Sequence, residues 1–445
     1  MAGMPLLQAL LLVASVLVLA AATRSRRLHP FLAIVAVASA FGLFAGFSVA
    51  FVGKSFGVGF SQAVYSPGLL IVAVAFVAGI AERTAASGWF AATLNRWRWL
   101  GSTRLAAFAG LIAGAAASPA SAFILLGPLL RAAAPKNAAA PLAVALAISG
   151  SHGLVLLSPV VIAAVSILGA GPGRVALFGL PLAIVLAVLA AVWVRLLPLT
   201  GSAGETPLPP KETLALEDKR AGWSALVVFA ASAIPLLLLM VRSIGDFPSE
   251  PLGGGTAREM VLSLGRPLTL SWLAVGVMIL GLWRPSMKLF FDSGWTTRIL
   301  GDAAGTLLIV GAAGGFQRLC QETGMAELLG ERLLSWPGGV LVPFLVAALI
   351  KTLQGSSLVA AITTAGMMQP LSAGSGFGAQ NATALAALAI GAGAMTVSHV
   401  NDEYFWLVAN GAGLSPPRAL ARFSVATLLQ GVVAAAALLA LSVLA

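Results

Sequence analysis

Residues 351–357 read KTLQGSS and stand in the middle of an otherwise apolar run, with LVPFLVAALI at 341–350 before them and LVAAI at 358–362 after them. An unbroken apolar helix of this length would cross a bilayer, whose hydrocarbon is about 30 Å thick. Gly355, flanked by Gln354, Ser356 and Ser357, interrupts the run at mid-depth. Small, helix-breaking residues leave backbone N–H and C=O groups unpaired, and in hydrocarbon such groups survive only where they face protein, water or a ligand. The run therefore reads as a re-entrant hairpin over 339–370 that enters and leaves on one side. The helix N-terminus after such a break also attracts anions. Lys351 lies roughly twelve residues into the run, too deep for easy snorkelling. An ammonium there needs an anion, a carboxylate or water beside it.

The whole chain has the same character. Of its 445 residues, 59% are apolar and 9% charged, against about 25% charged in soluble domains. Lipid solvates apolar side chains directly, so a chain of this composition reads as an all-α polytopic membrane protein. Further apolar segments fall at about 5–21, 29–51, 66–90, 104–133, 138–168, 174–194, 222–241, 268–283, 299–322, 380–409 and 419–443. The formal charge of +11 is split into short clusters between these segments, at 24–27, 96–104, 195–220 and 284–298. That pattern sets membrane topology and excludes a nucleic-acid partner. Cys320 is the one cysteine, which excludes a disulfide framework. Arg24, Arg26 and Arg27 follow the first apolar run rather than precede it, as in a retained helix and not a cleaved signal peptide. Trp89, Trp97, Trp99, Trp283 and Trp336 suit interface anchoring.

The two halves resemble each other. Leu69 to Leu130 lies without gaps over Gly305 to Gly366, with GIAERTAASG from Gly79 falling on GFQRLCQETG from Gly315. A second interrupted segment, 104–133, carries AAASPASAF at 115–123 where the later one carries its own break. Let 104–133 and 339–370 be hairpins and the other ten segments span. Loops on one side then hold 17 Lys and Arg, and those on the other hold six: Lys54, Arg174, Arg242, Arg258, Arg266 and Arg332. The positive-inside tendency makes the first side cytoplasmic and places both termini outside. The hairpins open to opposite sides, so the repeats are inverted, as in many transporters. The expected organisation is an N-terminal helix and basic loop (1–28), a first repeat (29–195), a cytoplasmic linker (196–221), a connecting helix and external loop (222–267), and a second repeat (268–443).

Polar groups inside apolar segments are the candidates for chemistry. In the first hairpin they are Ser118 and Ser121, in the second Lys351, Gln354, Gly355, Ser356 and Ser357. His152, in GSHGLVLLSP, marks a broken helix with a group that titrates near neutrality. SHVNDEYFWLVANG, 398–411, places Ser398, His399, Asn401, Asp402 and Glu403 too close together to share one helix face, so part of it lines a cavity or an unwound turn. Lys351, Gln354, Gly355, Asn401, His152 and the hairpin serines suit an anionic substrate, and His152 again, with His399, Asp402 and Glu403, suits proton exchange. Each has a bland counterpart: a snorkelled lysine, a histidine bonded to a carbonyl, a structural polar network. There is no nucleotide-binding loop, HExxH motif, nucleophile elbow or metal-ligand spacing, so neither an enzyme nor a cofactor is expected.

These residues carry a family likeness. SHVND followed by FWLV at 405–408, GAAGGFQRLCQETG at 311–324, KTLQGSSLVAAITTAG at 351–366 and SHGLVLLSPVVIAAVSILGA at 151–170 together resemble the gluconate:proton symporter family of the ion-transporter superfamily. The resemblance runs from about Leu28 onward. It implies a secondary transporter in the bacterial inner membrane that imports a sugar acid or related carboxylate with protons, working as a homodimer by an elevator motion. The chain departs from the family pattern in the first hairpin, where Ser118, Pro119 and Ala120 replace Phe-Phe-Glu. It departs also at Ser158, in place of a second histidine, at Glu403 and Tyr404, in place of small residues, and at Lys351, in place of arginine. Sodium coupling, a neutral solute, or a non-transport membrane role are the rival readings.

Overall fold

A computed structural model of the chain describes residues 4–24, 28–84, 86, 89, 102–115, 117–133, 139–196, 221–245, 250, 251, 253, 255–334, 336–372 and 380–444, and every regular element among them is helical. Nearly all of the expected linker, at 197–220, lies outside the described residues, as do Trp97, Trp99 and the basic positions 26, 27, 96, 98 and 136. In chain order the helices are α1 Met4–Arg24, α2 Pro30–Phe44, α3 Val49–Glu82, α4 Ser102–Gly114, α5 Pro119–Ala133, α6 Ala139–Leu154, α7 Pro159–Leu168 and α8 Pro172–Leu196. There follow α9 Ala221–Gly245, α10 Gly255–Leu264, α11 Pro267–Gly281, α12 Trp283–Phe290 and α13 Ser293–Glu322. Then come α14 Met325–Leu334, α15 Leu341–Gln354, α16 Ser357–Ser372, α17 Gln380–Ala394, α18 Glu403–Gly411 and α19 Pro416–Val443.

Among the described residues, seven helical runs are long and apolar enough to cross a membrane: α1, α3, α6 with α7, α8, α9, α13 and α19. An eighth crossing is available if α10 and α11, bent by 60° at Gly265 and Arg266, count as one. Ten spans were expected, and the differences have local causes. The apolar run 29–51 ends its helix at Phe44. Gly46 takes φ +97, open to glycine, and Ser48 caps a new helix by accepting from the Phe51 amide at 3.3 Å. Lys54, assigned to a loop, therefore sits exposed on α3. The run 380–409 is two helices, α17 and α18, separated by an unwound stretch. The stretch 242–267, read as a loop, carries α10, whose Arg258 and Glu259 hid it from a hydropathy reading.

The helices sort into two groups by their packing. In the first, α3 and α13 lie against each other, α11 packs on α3, α2 on α13, α9 on α11 and α1 on α2. The glycine-rich stretch 311–315 makes the α3–α13 seam: a Cβ on Gly59 would lie 2.3 Å from the Gly314 carbonyl, and Gly311 and Gly315 receive the rings of Phe60 and Phe56. Only hydrogen at these positions allows the backbones so close.

The second group repeats one order twice: a pair of short helices, a broken helix, a long helix. The pairs α4–α5 and α15–α16 break at 115–118 and 355–356, the two places marked by composition. At 13 to 16 residues each of these helices is about 20–24 Å long, short of a full crossing. Within the first set α4, α6 and α8 contact one another, and within the second α15, α17 and α19 do the same. Between sets, α5 packs on α18 and α16 on α7.

Candidate functional site

The last carbonyls of α15 have no partner within their helix, as at any helix C-terminus. Here side chains from three directions take them up. Gly355 turns the chain at φ +79, and its amide returns to the Lys351 carbonyl at 2.8 Å. The Asn401 amide donates to Thr352 O at 3.0 Å and Leu353 O at 3.2 Å. His399 Nε2 lies 2.8 Å from Thr352 O, and since a carbonyl only accepts, that nitrogen carries the proton. Lys351 Nζ donates to Gly355 O at 2.6 Å. The break is thereby sealed by the polar cluster of 398–402. A Cβ on Gly355 would fall 2.3 Å from Asn401 O.

Lys351 also donates to Asp402 Oδ2 at 2.6 Å, with the two side chains 2% and 8% exposed. Asp402 is the N-cap of α18: its Oδ1 accepts from the Tyr404 amide at 2.9 Å, and Oδ2 also accepts from Ser398 Oγ at 2.5 Å. This carboxylate thus has three donors, as a buried charge requires. The unwound stretch 395–402 that presents it contains Val397 at φ +52. A β-branched residue in the left-handed region is strained by roughly 1–3 kcal/mol. Contacts from α19 hold it there, Ser424 Oγ donating to Ser398 O at 2.5 Å and Ser398 N to Thr427 Oγ1 at 3.2 Å.

The first break is uncharged. His152, near the end of α6, is buried, with Nδ1 3.1 Å from Ser158 Oγ and a hydrogen bond to the backbone of Ala117 in the first hairpin turn. Ser158 donates to His152 O at 2.5 Å and caps α7 by accepting from Val160 N at 3.3 Å. Ser158 thus does for α7 what Asp402 does for α18. Ser118 caps α5: its hydroxyl donates to Ser121 Oγ at 3.0 Å and accepts from Ser121 N at 3.3 Å.

Of the candidates, Lys351, Gly355, His399, Asn401 and Asp402 form one contiguous cluster. Ser356 caps α16 through Val359 N at 3.3 Å, and Ser357 follows it, half-buried. Glu403 is half-buried, and its side chain has no hydrogen-bond partner among the described residues. Ser118, Ser121 and His152 gather separately, at the first break. The two breaks are tied through α6 and α17, where a Cβ on Gly153 would lie 2.6 Å from Gly391 O. They are tied again by Tyr404, which donates to Ala145 O at 2.9 Å and meets Phe123 edge-on at 6.1 Å. Tyr404 was not among the expected site residues, and neither was Glu327 of α14, whose Oε1 accepts from Gln354 Nε2 at 2.6 Å. Tyr404 was distinguished by its position beside the polar cluster and as a departure from the family pattern, and nothing in sequence distinguished Glu327.

The chain is similar to known proteins over nearly its whole length. The model of the GntP family permeases matches residues 4–444. A gluconate permease of Pseudomonas aeruginosa is 29% identical over 406 residues, 86% of each chain. One of Zymomonas mobilis is 30% identical over 423 residues, 89% of each. The D-serine transporter DsdX of Escherichia coli K12 is 26% identical over 439 residues, 94% of each. With a family match spanning nearly its whole length, the chain belongs to the GntP permease family and is a polytopic membrane transporter, not an enzyme.

Proposed function

We propose that this transporter imports a small organic anion, a gluconate-like sugar acid or related carboxylate, together with protons across the bacterial inner membrane. The observation that carries the reading is the buried Lys351–Asp402 pair. One ammonium can neutralise one carboxylate. If Asp402 takes up a proton, Lys351 is released to pair with the carboxylate of a substrate, so anion and proton enter together and the buried charge stays balanced. The gluconate permeases among its relatives favour a sugar acid, and the D-serine transporter widens the class to small polar carboxylates. Gln354, Ser356, Ser357, Asn401 and the Gly355 backbone would offer polar contacts on one side of the substrate, and Ser118 and Ser121 on the other. His152, His399 and Glu403 are further proton-exchange candidates. The Lys351 ammonium, which donates to both Gly355 O and Asp402, favours the proton over sodium as the coupled ion in this reading.

The twofold order of hairpin, broken helix and long helix supports inverted repeats over 29–195 and 268–443. So does the crosswise packing of α5 on α18 and α16 on α7. In this reading both pairs are re-entrant, both termini are external, and the second group of helices moves against the first within a homodimer.

The test is uptake of labelled gluconate, other sugar acids and D-serine into proteoliposomes under an imposed pH or sodium gradient. Accumulation driven by an inward proton gradient is expected for at least one carboxylate. Uptake that follows sodium and ignores pH would sink the proton-coupled reading.

A further inference from the structure

Helices α4 and α8 pack on each other, and a groove of about 350 Å³ opens between them. On α4 it takes positions 104, 107, 108 and 111, and on α8 positions 184, 187, 188, 191, 192 and 195, one face of each helix. Alanines make its floor: Ala107, Ala187 and Ala191 are buried, and their small side chains keep the space open. Phe108, Val188 and Val192 are exposed and form its walls. Apart from Arg104 and Arg195, every lining residue is apolar.

The two arginines stand together at one end. Arg195, in the last turn of α8, donates from Nε to Oγ1 of Thr103, in the first turn of α4, at 3.2 Å. That bond ties the helices together and uses one of the five guanidinium N–H groups. Among the described residues Arg195 has no other hydrogen bond or ion pair. A cation in the last turn suits the helix dipole, but Arg104 lies in the first turn of α4, where the dipole disfavours it. Two guanidinium groups and the positive end of a helix thus converge. Helices α4 and α8 contain no Asp or Glu, and neither do α5, α6, α17 and α19, the helices that pack on them. An anion complements that charge.

The length of the groove says which kind of anion. From Ile184 to Arg195 it follows α8 for about 16 Å. One leaflet supplies about 15 Å of hydrocarbon, half of the roughly 30 Å core. A phosphate at the arginines therefore sets an acyl chain along the alanines, with its end near the bilayer centre. A soluble anion would match the arginines and leave the apolar length uncovered.

We propose that this groove binds one anionic phospholipid, its phosphate between Arg104 and Arg195 and an acyl chain over Ala107, Ala187 and Ala191. Because α4 is the first arm of the first hairpin and α8 the long helix beside it, the lipid braces that hairpin against its own group of helices. In the orientation proposed above it comes from the cytoplasmic leaflet. The site itself depends on neither that orientation nor the substrate.

The experiment titrates the full-length protein in detergent with dioleoylphosphatidylglycerol or dioleoylphosphatidylcholine, followed by native mass spectrometry and thermal unfolding. Wild type should retain one phosphatidylglycerol per chain, roughly tenfold or more tightly than phosphatidylcholine, and unfold at a higher temperature with it. Inorganic phosphate at the same concentration should not displace it. Arg104→Gln combined with Arg195→Gln should abolish the preference. Ala187→Leu keeps both arginines but fills the groove, and should also weaken phosphatidylglycerol binding. Equal affinity of wild type for the two lipids overturns the inference, as does a preference that survives the double arginine substitution. Full affinity in Ala187→Leu would mean attraction of charge with no seat for the chain, and overturns the groove as the site. Should the arginine variant fail to fold, the wild-type comparison and Ala187→Leu decide. Every readout is lipid binding, so failure here leaves the proton-coupled reading untouched.

Discussion

Lys351 and Asp402 are 51 positions apart and form a buried ion pair whose members each keep other hydrogen bonds. Breaking such a pair from one side strands a charge and destabilises by about 3–5 kcal/mol. Replacing both partners by apolar groups of similar volume can be nearly neutral, and removing both at least strands no charge. Lys351→Ala and Asp402→Ala should therefore each lower the unfolding midpoint of the detergent-solubilised protein substantially. The double variant should recover at least half of that loss while remaining inactive. Additive losses would mean that the pair is not coupled as drawn. Single residues were legible in sequence to the extent that their oddness was local. Lys351, Asn401 and Asp402 stand out as polar groups in apolar runs. Their pairing was not legible, because it depends on where the unwound stretch 395–402 meets the α15 terminus. Glu327 was invisible for the opposite reason: beside Glu331 and Arg332 it reads as one more charge on an ordinary short helix.

At the scale of elements, the breaks at 115–118 and 355–356 could be read from Ser118, Pro119 and Gly355, since those residues act through their own backbones. The restart of α3 at Val49 and the existence of α10 could not, because both depend on capping and bending that hydropathy does not register. Glycines show the same division. Gly57 and Gly59 on α3 look alike in sequence. A Cβ on Gly57 meets nothing within 4 Å, whereas one on Gly59 runs into the α13 backbone, and one on Gly314 would meet Ala63 Cβ at 2.5 Å. Gly314→Leu should overpack the seam and destabilise by about 1–3 kcal/mol or more. Gly57→Ala should instead be neutral or stabilise by up to about 1 kcal/mol through helix propensity. Thermal unfolding of the purified variants separates the two. Equal effects at both positions would mean that the seam is not the close contact described.

For the whole molecule, with α14 counted in the second group, the two groups of helices meet along a limited set of contacts, α3 and α9 with α5, α13 with α14, α15 and α18, and α1 with α14 and α19. Each group is cross-braced internally, the first by the α3–α13 seam and the second by the crosswise hairpin packing. Substrate can therefore be exposed to alternate sides with little repacking if the second group slides as a body, and both interiors stay close-packed as it does so. The α13–α18 boundary offers a direct test, because Thr306 and Asn410 are hydrogen-bonded across it. In a Cys320→Ala background, Thr306→Cys with Asn410→Cys should form a disulfide under mild oxidation. The oxidised protein should lose at least tenfold in exchange rate and recover on reduction. Exchange is the right readout, because it needs the site to reach both sides and nothing else. If the cross-linked protein exchanges at the full rate, the boundary does not move, and access to the site must instead come from opening of the hairpins alone.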